Sequence, residues 1–196
     1  AIASTSCLER TKRTVDNVHQ RRIEDSWLYL RGMLSKLRTK SVPADLVIFD
    51  ELDENAWVVR QSGAFHWSSG FAVPRLLLDS ECVVQTCNLK THRYGGHFTR
   101  SLKNSVGFVA RSVRAGAYNY MEELHNSSYQ RQMIAEINAV YTPTLIVMDG
   151  VDAFVDGGPA QGKLVSPGVM LAGTDRVAVD AVGVAILRLF GTTPQV

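Results

Sequence analysis

Apolar residues recur along this chain at two spacings, and the change from one to the other marks out the elements. Ile23, Trp27, Leu30, Leu34 and Leu37 follow one another at steps of four, three, four and three. That spacing puts them on one face of a helix and predicts helix over residues 8–39, leaving Arg21, Arg22, Arg31, Lys36 and Arg38 for its other faces. Ser41-Val42-Pro43 ends it, because the residue before a proline avoids the α region. Leu46, Val47, Ile48 and Phe49 read as a buried strand, residues 50–54 as an acidic loop, and Trp57, Val58 and Val59 as a second strand. Residues 63–70 are turn-rich and hold His66 between two aromatic residues, where a histidine is more often packed than functional.

The second half alternates more cleanly. Residues 82–87 read as a strand, 88–97 as a loop, and a helix begins near Thr99. Met133, Ile134, Ile137 and Val140 form the stripe of a helix over residues 128–140, stopped by Pro143. Leu145, Ile146, Val147 and Met148 make a strand ending at Asp149-Gly150, followed by a glycine-rich loop over residues 156–162 that can close over a site. Residues 169–172 form a further strand, ending in Gly173-Thr174-Asp175. The last helix covers residues 176–190, with Gly191 as its C-cap. Short apolar strands alternating with helices predict an α/β fold, a mainly parallel or mixed sheet flanked by helices, with a basic helix at the N-terminus. Residues 1–40 are the helical segment and 41–196 the α/β domain, together one compact domain.

Charge alters this picture at one place only. The net charge of +2 gives no case for nucleic acid as a partner. Residues 1–40 nevertheless hold nine Lys/Arg against four Asp/Glu, a basic face that is either simply solvated or docks a protein partner. Cys7, Cys82 and Cys87 form no disulfide framework, and Cys82 and Cys87 fit a strand as small buried side chains. No CxxC occurs, so no iron–sulfur cluster is expected; this usage fits a reducing compartment, the cytoplasm being favoured. No apolar run reaches transmembrane length. The chain starts at Ala1 without an initiator Met, as a mature form or a fragment would.

Ligands of open α/β sheets bind beyond the carboxyl ends of the strands. If the strands are parallel, Lys90-Thr91-His92, Asp149-Gly150 and Thr174-Asp175 converge on one edge. Lys90 offers a point charge and His92 an acid, base or metal ligand near neutral pH. Gly95 and Gly96 before a helix let backbone N–H groups approach an anion, Thr99 can cap that helix, and Lys103 and Asn104 add a charge and an amide. Lys90, His92 and Asp149 are the candidate catalytic residues. Thr91, Gly95, Gly96, Thr99, Lys103, Asn104, Gly158, Thr174 and Asp175 are the candidate ligand-binding ones. His92, His97 and Asp149 are the candidate ligands of a divalent metal, although their spacing matches no zinc signature. Each has a plainer reading: a solvated glycine-rich connection for residues 88–97, a turn aspartate for Asp149 and a helix cap for Asp175. Asp180 fits burial equally well. The P-loop, GxSxG, HExxH and GxGxxG patterns are all absent.

Four motifs in order resemble the domain of unknown function 362 family. They are Asn88-Leu89-Lys90-Thr91-His92 with Thr99-Arg100-Ser101-Leu102-Lys103-Asn104-Ser105-Val106-Gly107, and Ala135-Glu136-Ile137-Asn138. The others are the Leu145 to Gly150 run with Gly158-Pro159 and Gly162, and the segment from Leu171 through Asp175 to Asp180. The similarity spans roughly residues 75–193 and is weak over residues 1–70, where the family's usual Lys-Pro-Asn stretch is not evident. It implies an α/β domain in which Lys90, His92, Thr99, Lys103, Asn104, Asp149, Thr174 and Asp175 match motif positions, and it implies no particular reaction. The expectation is an enzyme binding a small phosphate or carboxylate ligand. The alternatives are an accessory protein for a redox or metal-handling partner, and a metal-binding protein.

Overall fold

The computed structural model describes residues 2–4, 47, 49–92, 98–113, 118–158 and 161–196. Ala1–Cys7 with Leu52–Val196 form one compact unit and Leu8–Glu51 another. The helix expected over residues 8–39, with its basic face, lies outside the described residues. Val47 belongs to no strand and a 3-10 turn covers Phe49–Glu51, so the strand expected there is not formed at those positions.

In the first unit the strands are β1 (Ile2–Ser4), β2 (Trp57–Arg60), β3 (Phe71–Pro74), β4 (Val84–Thr91), β5 (Phe98–Thr99), β6 (Leu145–Gly157), β7 (Gly162–Val165) and β8 (Val169–Gly173). The helices are α1 (Arg75–Asp79), α2 (Ser101–Asn104), α3 (Tyr120–Asn126), α4 (Gln130–Ala139) and α5 (Arg176–Leu189). Six strands form one sheet in the order β1-β4-β6-β7, with β5 also on β4 and β8 also on β6. β1–β4 and β4–β6 are parallel; β5, β7 and β8 all pair antiparallel. The sheet is therefore mixed, parallel at its centre, and the chain is α/β as expected. β2 and β3 make a separate antiparallel pair, and β3 is buried at every position.

Two strands run further than the sequence pattern indicates. β4 continues through Asn88-Leu89-Lys90-Thr91, residues expected to be loop, with Gln85, Cys87, Leu89 and Thr91 buried at every second position. β6 passes through Asp149-Gly150 and ends only at Gly157. Its alternation breaks at the point where the sequence reads as a strand end. Asn88 pairs with Asp149 but Lys90 with Phe154, so β6 carries three extra residues there. That odd number flips the pleat, and burial resumes at Ala153 and Val155 rather than in phase with Ile146 and Met148. The two halves of β6 also have different outer neighbours, β8 along residues 146–150 and β7 along 153–157.

The glycine-rich stretch after β6 is a tight hairpin into β7 rather than a lid. Gly157 and Gly158 turn at φ +73° and +77°, and the Gly158 amide donates to the Gln161 carbonyl at 2.6 Å. A Cβ at Gly158 would stand 2.2 Å from the Thr91 carbonyl oxygen, so only glycine fits against the end of β4.

One face of the sheet is covered by α5. Cys87, Leu89, Ile146, Met148, Ala153 and Val155 pack with Val179, Leu187 and Val196. Each such aliphatic side chain contributes about 1.5–3 kcal/mol on burial. α5 starts as the sequence indicates: Asp175 Oδ1 accepts from the amides of Val177 (2.7 Å) and Ala178 (3.1 Å). Gly191 closes it at φ +76°. The turn holding His66 is pinned to α4. The His66 amide and Nδ1 both meet the Glu136 carboxylate, Nδ1 at 2.6 Å, and the imidazole lies against the Tyr129 ring.

Candidate functional site

Because β8 runs antiparallel to β6, the three polar strand ends do not converge. Gly173 pairs with Ile146, which pairs with Gln85, so Thr174 and Asp175 sit at the amino end of the parallel strands. Strand geometry places them about 20 Å from Lys90. Both are exposed, and the Asp175 carboxylate caps α5. The expectation of one shared edge assumed parallel pairing; the short connection from β7 to β8 allows only antiparallel neighbours of β6 there.

The remaining candidates divide between the two faces of β4. Lys90 pairs with Thr99 across the β4–β5 ladder, so their side chains share a face. Asn88, two residues back on that face, pairs with Asp149, and both are exposed. Lys90, Thr99 and Asp149 thus lie on the sheet face away from the α5 core, with Asp149 about 8 Å from Lys90 in strand spacing. Asp149 Oδ1 accepts from the Val151 amide at 3.0 Å, which steadies the extra loop of β6. Lys90 and His92 are half-buried. The Thr99 hydroxyl is buried with no hydrogen-bond partner. An unmet buried hydroxyl is uncommon, and here it faces the lysine expected to hold an anion.

Thr91 points the other way. It is buried and donates to the Phe154 carbonyl at 3.1 Å, holding β4 to β6 beyond the irregularity. Asn104 is also buried, and its amide donates to the Thr86 carbonyl at 2.8 Å. Lys103 is half-buried on α2. Gly95, Gly96 and His97 lie outside the described residues. Among the described residues no three His, Cys, Asp or Glu side chains gather to hold a metal ion, so Asp149 and His92 do not make such a group with a third described ligand.

Thr99 does not cap the helix that follows. It lies in β5, and α2 starts at Ser101 with its cap supplied from α5. Asp180 Oδ1 accepts from the Ser101 amide (2.8 Å) and hydroxyl (2.6 Å), and Oδ2 from the Leu102 amide (3.1 Å). Burial raises the Asp180 carboxyl above its usual range, opposed by these hydrogen bonds and by Arg100. Asn138 on α4 gathers the same region. Its Nδ2 donates to the carbonyls of Leu102 and Ile134 and to the Ser105 hydroxyl, and its Oδ1 accepts from Arg176 at 2.6 Å. Arg176 also reaches the carbonyls of Asn138 and Tyr141, and Tyr141 is pushed up to about 12 by burial.

Arg100 is the residue that sequence patterning passes over. It is fully buried, stacked at 4.0 Å on the Phe98 ring, and burial lowers its guanidinium to about 10. A signal was present in Gly183, an isolated glycine inside an otherwise apolar helix. A Cβ there would meet Arg100 Cδ at 2.9 Å and Nε at 3.2 Å, so the glycine is a notch for the guanidinium.

No solved structure matches the chain. A thylakoid-associated protein of Synechocystis sp. is 29% identical over 112 residues, covering 57% of this chain and 34% of the relative, so the matched chain spans about a third of that protein's length. The family model described as domain of unknown function (DUF362) matches residues 32–185, reaching further toward the N-terminus than the motifs do. The chain belongs to the DUF362 family.

Proposed function

We propose that this chain holds a small anionic ligand, a phosphate or carboxylate, on the sheet face away from the α5 core where β4 meets β5, as part of an enzyme acting on that ligand. The observation carrying this reading is the buried, unpartnered Thr99 hydroxyl directly across the ladder from Lys90. A hydroxyl withdrawn from water without a partner is costly, and an oxyanion beside the ammonium would supply its acceptor. In this reading Lys90 and Thr99 bind, His92 is the acid or base one step beyond Thr91, and Asp149 supplies a carboxylate on the same face.

Thr99→Val is the decisive variant, because it keeps the shape and removes only the hydroxyl. If the hydroxyl serves the fold alone, the variant is as stable as the wild type or slightly more so, and responds identically to phosphate. If it serves a ligand, inorganic phosphate or acetate raises the melting temperature of the wild type but not of Thr99→Val or Lys90→Ala. Equal stabilisation of all three proteins, or of none, refutes the proposal.

A further inference from the structure

Behind β5, on the α5 side of the sheet, the Arg100 guanidinium is only partly paired. Nη1 donates to the Asp180 carbonyl at 3.1 Å, while Nε and Nη2 are buried with no partner. Those two N–H groups share one edge of the planar guanidinium and form the fork that grips two oxygens of a single carboxylate or phosphate. The nearby carboxylate does not fill it, since the Asp180 oxygens are turned to Ser101 and Leu102. Burial lowers the guanidinium more than the neighbouring Asp180 carboxylate raises it, so the cation is not fully compensated by that carboxylate. Gly183 leaves the notch that admits the side chain, and Phe98 covers one face of its plane.

We propose that the Nε–Nη2 edge of Arg100 is a second binding site, distinct from the Lys90–Thr99 face, which takes an oxyanion bearing two oxygens on one atom in bidentate fashion. The two lie on opposite faces of β5, since Thr99 faces with Lys90 while Arg100 stacks on Phe98. Both N–H groups are withdrawn from water, so the site discriminates by geometry: a carboxylate or phosphate fits the fork, and chloride, with one centre, does not.

The site is tested on the whole chain by following the arginine Nε–H resonances of 15N-labelled protein while adding inorganic phosphate, acetate or chloride. A buried, slowly exchanging Nε–H should shift with phosphate and acetate but not with chloride. The shift should persist in Lys90→Ala and Thr99→Val, which separates this site from the one proposed above. Arg100→Lys keeps the charge and lacks the fork, so its affinity should fall about tenfold or more. No shifted Nε–H in the wild type, an equal response to chloride, or unchanged phosphate affinity in Arg100→Lys would overturn the proposal. Should Arg100→Lys not fold, the wild-type resonances still decide.

Discussion

Removing the Asp180 carboxylate should release α2 from the sheet. The Ser101 hydroxyl has a second acceptor in the Arg176 carbonyl at 3.2 Å and can turn to it. The Ser101 and Leu102 amides have no such choice, because the first N–H groups of a helix have no acceptor within it. Asp180→Ala leaves both unmet, the Ser101 amide buried at about 1–3 kcal/mol and the half-buried Leu102 amide at about 1 kcal/mol, so the loss should be about 2–4 kcal/mol. Set against the 5–15 kcal/mol typical of a folded domain, that is a large part of the whole. Asp180→Asn keeps one oxygen acceptor and turns an amide N–H₂ toward the other donor, costing about 1–2 kcal/mol. The measurement is urea unfolding followed by circular dichroism, comparing midpoints at unchanged slope. The pH dependence gives a sharper check. Burial raises the folded-state carboxyl above its ordinary 3.8. Its titration therefore adds stability that is complete below 3.8 and is lost as pH rises through the raised value. Asparagine does not titrate, so the wild-type advantage over Asp180→Asn should be greatest in acid and narrow toward neutrality. A gap that widens with pH would show that the hydrogen bonds outweigh burial. A loss below about 1 kcal/mol in Asp180→Ala would refute the capping role itself.

Other substitutions examine the same frame. Gly158→Ala should destabilise by more than the roughly 1 kcal/mol of a left-handed residue alone, because its Cβ would meet the Thr91 carbonyl; thermal melts of Gly158→Ala beside Gly168→Ala, an open left-handed position, give the comparison. Asn138→Ala should cost about 3–5 kcal/mol, as it unties α4 from α2 and leaves Arg176 without its side-chain acceptor, measurable by the same urea titration. Cys87 is buried with its thiol pushed up to about 12 by burial, whereas Cys82 is exposed. Peptide mapping after brief treatment with a thiol reagent at neutral pH should find Cys82 modified and Cys87 intact.

The elements that obey one period were legible in the sequence. α5, with its Asp175 cap and Gly191 stop, and the core of α4 stand where spacing and capping rules put them. What escaped depended on contacts distant in sequence. The continuation of β6 was hidden because three extra residues shift its pleat, so an alternation counted along the chain stops at Gly150. The direction of β8 carries no signature in its own five residues, and that direction alone parts Thr174 and Asp175 from Lys90. β3 was missed because it is buried on both faces and has no alternation to count. At the candidate site the pattern picked out Lys90 and Thr99, which a ladder makes neighbours. It could not single out Arg100, whose burial is visible only once Gly183 of α5 is laid over it.

The parallel pairing of β4 with β6 also sets an order on synthesis. Val84 meets Leu145 and Lys90 meets Phe154, residues more than sixty positions apart, and nothing between them can stand in for the partner strand. A nascent chain leaving the ribosome therefore carries β4 with an open edge until β6 follows, and long-range pairing of this kind is slow to form. The α2 amides wait longer still, since Asp180 lies 79 residues after Ser101. The segment bearing Lys90, Thr99 and Arg100 therefore lacks one strand partner until β6 has been made and its cap until α5 has been made, an interval in which a chaperone would protect it.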